Sequence, residues 1–100
     1  MICTEMFVEN ILDWLNENNF MIKEYYSYYK VLPFGFITVH FYKDTVMVCL
    51  DANLINKRFS CKREISLYHF SDKVLTGEIL KCTLLDICFE YNKECLFTKE

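Results

Sequence analysis

The sequence predicts an α+β domain: an N-terminal helix, an antiparallel sheet of three to four strands, and a C-terminal helix packed on one sheet face. Three observations predict it. Apolar residues recur at helical spacing near both ends, the middle of the chain alternates at strand spacing, and the breaks between the middle segments are short. Long strands with short connections pair antiparallel and leave the helices to one face.

The first element is a helix from about Thr4 to Asn18. Thr4 suits the N-cap, because its hydroxyl can accept from a free backbone N–H. Phe7, Val8, Ile11, Leu12, Trp14 and Leu15 form its apolar stripe. Asn16, Asn18 and Asn19 favour an ending there, since Asn tolerates the left-handed conformation.

Met21 to Leu32 follows, with Tyr25, Tyr26, Tyr28 and Tyr29, and aromatics favour strands. As one strand it places Tyr26 and Tyr28 on one face, Tyr25 and Tyr29 on the other. Pro33 and Gly35 mark a turn. Phe36 to Tyr42 and Thr45 to Leu50 then read as a hairpin across Lys43 and Asp44, with Val46, Val48 and Leu50 on its buried side. Asp51 to Asn56 is a connection, and Arg58 to Tyr68 is the next strand.

Ser71 or Asp72 caps the final helix, which runs to about Asn92 with Leu80, Leu84, Ile87 and Tyr91 as its stripe. Gly77 costs about 1 kcal/mol inside a helix, which favours a start after it. Ile79 to Phe89 is apolar enough to read as a strand instead.

One hundred residues fit a single domain over residues 1–100. A chain of this size buries roughly 60–70% of its unfolded surface, enough for a core without staples. No uninterrupted apolar run approaches the roughly 20 residues that span a bilayer, so no membrane partner is expected. Residues 1–22 hold neither a basic segment nor a long apolar one, as a signal peptide would. The expected compartment is therefore cytoplasmic, with the six cysteines reduced. Asn, Lys, Ile, Phe and Tyr are plentiful while Ala, Gly, Pro and Arg are scarce, as an AT-rich genome gives in low-GC bacteria, their phages and some large DNA viruses.

No cofactor or metal is expected. Phosphate loops and dinucleotide fingerprints need several glycines together, and the chain has two Gly in all. Cys82, Cys88 and Cys95 are spaced by six and seven, which makes no close ligand pair on a helix, and no Cys-x-x-Cys occurs. A catalytic thiol needs a positioned base, and the candidates are His40 and His69. His40 alternates with Phe36, Thr38 and Tyr42 as an ordinary strand residue, so no catalytic residue is assigned.

The charge pattern carries the functional expectation. Glu5, Glu9, Asp13 and Glu17 fall four apart, and no Lys or Arg precedes Lys23. On a helix that makes a one-signed ridge costing roughly 0.2–0.5 kcal/mol per pair. A solvated face explains such a ridge without any partner, and a protein with a basic surface explains it functionally. Asp86, Glu90 and Glu94 partly repeat it in the last helix. The ridge and Tyr25, Tyr26, Tyr28 and Tyr29 are the candidate partner-binding residues, Tyr being common at interfaces. Lys57, Arg58, Lys62 and Arg63 are the candidate nucleic-acid contacts, split as a strand into Arg58 and Lys62 on one face, Lys57 and Arg63 on the other. Charges that guard a sheet edge explain this group more simply, and pairing with acids, within the chain or across a subunit boundary, is a further reading.

The order helix, three strands, helix resembles that of double-stranded RNA-binding domains. The likeness is in element order alone. Where that family carries a lysine cluster at the start of its last helix, this chain has Ser71, Asp72 and a single Lys73, and its first helix is acidic.

The expected function is a non-enzymatic interaction module that offers acidic helix faces to a basic protein. Its most concrete form is a phage- or mobile-element-encoded inhibitor of a bacterial nucleic-acid-binding enzyme. The alternative is a nucleic-acid-binding accessory protein using residues 57–63. Homodimerisation is expected to be compatible with either, through an exposed sheet edge or a basic segment against an acidic helix.

Overall fold

The computed structural model describes residues 4–24, 26–55 and 57–98, with side chains from Met6 to Leu96. The elements run α1 (Thr4–Glu17), β1 (Met21–Glu24), β2 (Ser27–Leu32), β3 (Gly35–Phe41), β4 (Thr45–Asn53), β5 (Arg58–Ser66), a short 3₁₀ turn (Leu67–Phe70) and α2 (Lys73–Thr98). The five strands lie in chain order β1-β2-β3-β4-β5, every pair antiparallel, and both helices cover one face.

α1 ends as its asparagines predict. Asn19 takes a φ of 65°. Phe20 N–H then reaches back to Leu15 C=O at 2.9 Å and Asn19 N–H to Asn16 C=O at 3.3 Å. This left-handed cap satisfies carbonyls that the helix end leaves free. It also turns Phe20 into the core beside Leu15, both buried. Lys30 from β2 donates to Asn18 C=O at 2.9 Å, a cation at the negative end of the helix dipole.

The strand count corrects the expectation of three to four. Met21 to Leu32 is a hairpin, not one strand, because the chain reverses between Glu24 and Ser27, which pair with each other. Tyr26 occupies this turn with a φ of 64°, where Gly or Asn would signal a reversal and a tyrosine does not. The helix–three-strand–helix order of double-stranded RNA-binding domains is therefore replaced by helix, five strands, helix. Leu32 pairs with Gly35 across Pro33 and Phe34, and Tyr42 N–H bonds Thr45 C=O at 2.8 Å across Lys43 and Asp44.

Gly35 answers a close approach. A Cβ there would fall 2.2 Å from the backbone oxygen of Asp51 on β4, which only glycine avoids.

The alternation of the strands sets the two sheet faces. Ile37, Val39 and Phe41 on β3 and Val46, Val48, Leu50 and Ala52 on β4 are buried against the helices. Phe7, Ile11 and Leu15 of α1, Leu80 and Ile87 of α2, and Leu67 and Phe70 between them complete the core. Each of these Val, Leu, Ile and Phe side chains contributes about 1.5–3 kcal/mol by leaving water. Among the described residues, no helix covers the opposite face, which holds Tyr29, Phe36, His40, Met47, Cys49 and Lys62.

α2 is one helix through the segment that also read as a strand, and it begins before Gly77. Asp72 Oδ1 accepts from Leu75 N–H at 2.9 Å and caps it. Buried Thr76 donates its hydroxyl to Asp72 C=O at 2.7 Å. The helix is apolar on its outer side as well: Leu85, Phe89 and Leu96 are 61%, 64% and 70% exposed.

Candidate functional site

The residues that carry the acidic ridge have unequal surroundings. Glu9, Asp13 and Glu17 are exposed along α1, as their spacing predicts. Asp13 meets Lys73 of α2 at 3.6 Å, with both side chains more than half exposed. A pair so open to water adds at most about 1 kcal/mol, and it takes one charge of the ridge into a local balance. Glu5 lies outside the residues whose side chains are described, and Tyr25 lies outside the described residues.

The tyrosines separate. Tyr28 points to the helix side and meets Phe41 edge-on at 6.2 Å, half-buried. Tyr29 lies on the open face of the sheet. Tyr26 is exposed in the β1–β2 turn, and there it joins the ridge. Tyr26, Glu9 and Val8 line one depression of about 530 Å³ with Phe41, Tyr42, Lys43 and Leu67. The fold thus brings together two of the sequence-derived candidates, Glu9 and Tyr26, from elements seventeen residues apart. Tyr42 and Lys43 join them because the β3–β4 turn reaches the same end of the molecule. The sequence places Tyr42 at the end of its strand and Lys43 in the turn, and carries no signal for their meeting with Glu9 and Tyr26.

The basic group is also divided. Arg63 points to the helix side and donates Nε–H to Asp86 Oδ2 of α2 at 2.8 Å. That carboxylate raises the Arg63 pKa above its ordinary value, since it holds the charged form. Lys57 donates to Glu94 Oε2 of the same helix at 3.2 Å. Two of the four bases therefore meet two of the acids that repeat the ridge pattern in α2. Arg58 and Lys62 remain on the open face, in the split that strand alternation predicts.

Around Lys62 the open face holds a shallow polar hollow of about 360 Å³ with His40, Cys49, Asp51 and Ser60. Cys49 Sγ–H donates to Asp51 Oδ2 at 3.4 Å. Partial burial raises its pKa, with the Ser60 hydrogen bond opposing and the Asp51 carboxylate adding to the rise. That is the reverse of an activated nucleophile, which needs a stabilised thiolate. His40 stacks obliquely on Tyr42 at 4.7 Å between centroids. His69 is exposed in the 3₁₀ turn. Among the described residues, no three His, Cys, Asp or Glu side chains converge as metal ligands would.

Compared with known proteins, the chain matches no family model, no curated protein and no solved structure. No helix among the described residues is long and apolar enough to cross a membrane.

Proposed function

We propose that this protein is a contact module that binds a second protein through the end of the molecule where α1 meets the β1–β2 and β3–β4 turns. The observation that carries the reading is the shared depression of Glu9 and Tyr26. Its lining joins aromatic and aliphatic side chains (Tyr26, Tyr42, Phe41, Val8 and Leu67) to two charged ones (Glu9 and Lys43), a mixture that protein interfaces use. Glu9, Asp13 and Glu17 extend one sign of charge away from it along α1. The matching occupant is a basic protein surface, and surfaces that hold nucleic acid are of that kind because they are built to attract negative charge. With the AT-rich composition, this supports the concrete form of a phage- or mobile-element-encoded inhibitor that competes with nucleic acid for its target.

The pairing of Lys57 and Arg63 with α2 acids supports this reading over the nucleic-acid-binding alternative, because it removes half of the basic group from availability. The test is affinity capture from the native host with the wild-type chain, and with Glu9→Lys/Asp13→Lys and Tyr26→Ala variants. A captured protein should be lost by at least about tenfold in the charge reversal, with a flatter salt dependence. Capture that is indifferent to all three changes would overturn the assignment of the surface.

A further inference from the structure

The two edges of the sheet are built differently. β1 has four residues, and its pairing is irregular between Ile22 and Glu24. Shortness and irregularity both blunt an edge. β5 has nine residues, contains no proline, and keeps one unbroken register with β4 from Arg58 to Ser66. It is a long, regular edge with no bulge, and its charges guard it against any strand that does not match them in sign.

The direction of its free backbone groups follows from the ladder. Tyr42 N–H bonds Thr45 C=O, so Thr45, Met47, Cys49 and Asp51 of β4 bond towards β3. Val46, Val48, Leu50 and Ala52 then bond towards Ile65, Arg63, Cys61 and Phe59 of β5. The N–H and C=O groups of Arg58, Ser60, Lys62 and Glu64 are left pointing away from the sheet. The bond from Arg63 Nη1 to Lys62 C=O, at 2.9 Å, agrees with this outward row.

We infer that β5 is the pairing edge of a homodimer, joined antiparallel about a two-fold axis at Cys61 into one continuous sheet. The side chains select that register. Centred on Cys61, each Arg58 faces Glu64 of the second copy and each Ser60 faces Lys62. Centring on Ser60 would set Arg58 against Lys62. Centring on Lys62, Arg63 or Glu64 would set each of those charges against itself. Like charges directly opposite are unfavourable and unlike ones favourable. The same register makes Ser60–Lys62 and Arg58–Glu64 the pairs that exchange backbone bonds, because these residues carry the outward groups.

α2 lies across β4 and β5, so its copy arrives alongside. Asp86 faces β5 through Arg63. Cys82 and Phe89, four and three residues from Asp86, share that flank of the helix and are exposed. A second copy covers this flank and adds apolar area that a single edge ladder lacks. The acidic ridge of α1 stays outside the joint.

The experiment is sedimentation equilibrium of the whole chain over a wide concentration range. The wild type should reach twice 12.1 kDa. Ser60→Pro removes one outward N–H without touching a β4 bond and should leave a monomer. Glu64→Lys sets Lys against Arg58 twice per dimer and should weaken association by about tenfold. Arg58→Glu should weaken it similarly, and Arg58→Glu with Glu64→Lys should restore it. A wild type that stays monomeric overturns the inference. So does a dimer that survives Ser60→Pro, or one that the double exchange fails to restore.

Discussion

Gly77 lies against Trp14 where the two helices meet: a Cβ on Gly77 would come within 3.2 Å of Trp14 Cδ1 and 3.4 Å of Nε1. The indole thus crowds the space that a side chain at position 77 would take, which opposes the gain in helix propensity of replacing the glycine. Gly77→Val should destabilise the fold by about 1–3 kcal/mol, the usual cost of overfilling a packed contact. Because the chain has one Trp, intrinsic fluorescence during urea unfolding reports this junction directly. The cost should shrink in a Trp14→Ala background. An equal cost in both backgrounds would mean that valine acts through the helix alone.

A second glycine gives a sharper expectation. At Gly35 the obstructing atom is a backbone oxygen at 2.2 Å, which cannot rotate aside as a side chain can. Gly35→Ala should therefore cost about 3 kcal/mol or more, since β3 or β4 must shift at a paired position. The urea midpoint measures it. A loss under about 0.5 kcal/mol, the range of ordinary surface changes, would show that the strands part easily there.

These two positions show what was legible in the sequence. The α1 boundary at Asn19, the β3–β4 turn at Lys43 and Asp44, and the Asp72 cap all follow from local chemistry, and all are where that chemistry puts them. The β1–β2 reversal has no such local mark, because Tyr26 holds a left-handed φ that tyrosine seldom signals. The place of Gly77 inside α2 has its counterpart in Trp14, sixty-three residues earlier, and no local signal marks that contact. The candidate site was half legible for the same reason. Spacing placed Glu9, Asp13 and Glu17 on one face. The meeting of Glu9 with Tyr26, and of Lys57 with Glu94, depends on packing between distant elements.

The thiols should respond to pH in a defined direction. Burial raises the pKa of Cys88, and burial is the main cause of the rise at Cys49, both from an ordinary 9.0. The folded chain thus holds these protons at pH values where the unfolded chain has begun to release them. Their stabilisation is complete below pH 9 and falls as pH rises through the folded values. Cys49→Ala and Cys88→Ala should each flatten the alkaline loss of stability. In alkylation followed by mass spectrometry, exposed Cys82 should react before either. Cys49 reacting first at neutral pH would instead indicate an activated thiol on the open face.

The ion pairs between β5 and α2 set the last expectation. Asp86 and Glu94 hold Arg63 and Lys57 against the helix side, at 2.8 and 3.2 Å. Each pair is substantially exposed and should be worth no more than about 1 kcal/mol, so their removal should leave the fold intact. Their consequence is electrostatic. Asp86→Asn with Glu94→Gln removes the acids that Arg63 and Lys57 meet and so frees two of the four cations that lie within seven residues. On a heparin column the double variant should elute at higher salt than the wild type, because each freed cation adds a phosphate- or sulfate-like contact. A matched neutralisation of Glu9 and Asp13 changes net charge equally but lies on α1, and should shift elution less. If the two double variants elute together, overall charge rather than the release of Arg63 and Lys57 governs the behaviour, and the α2 acids do not mask a nucleic-acid surface.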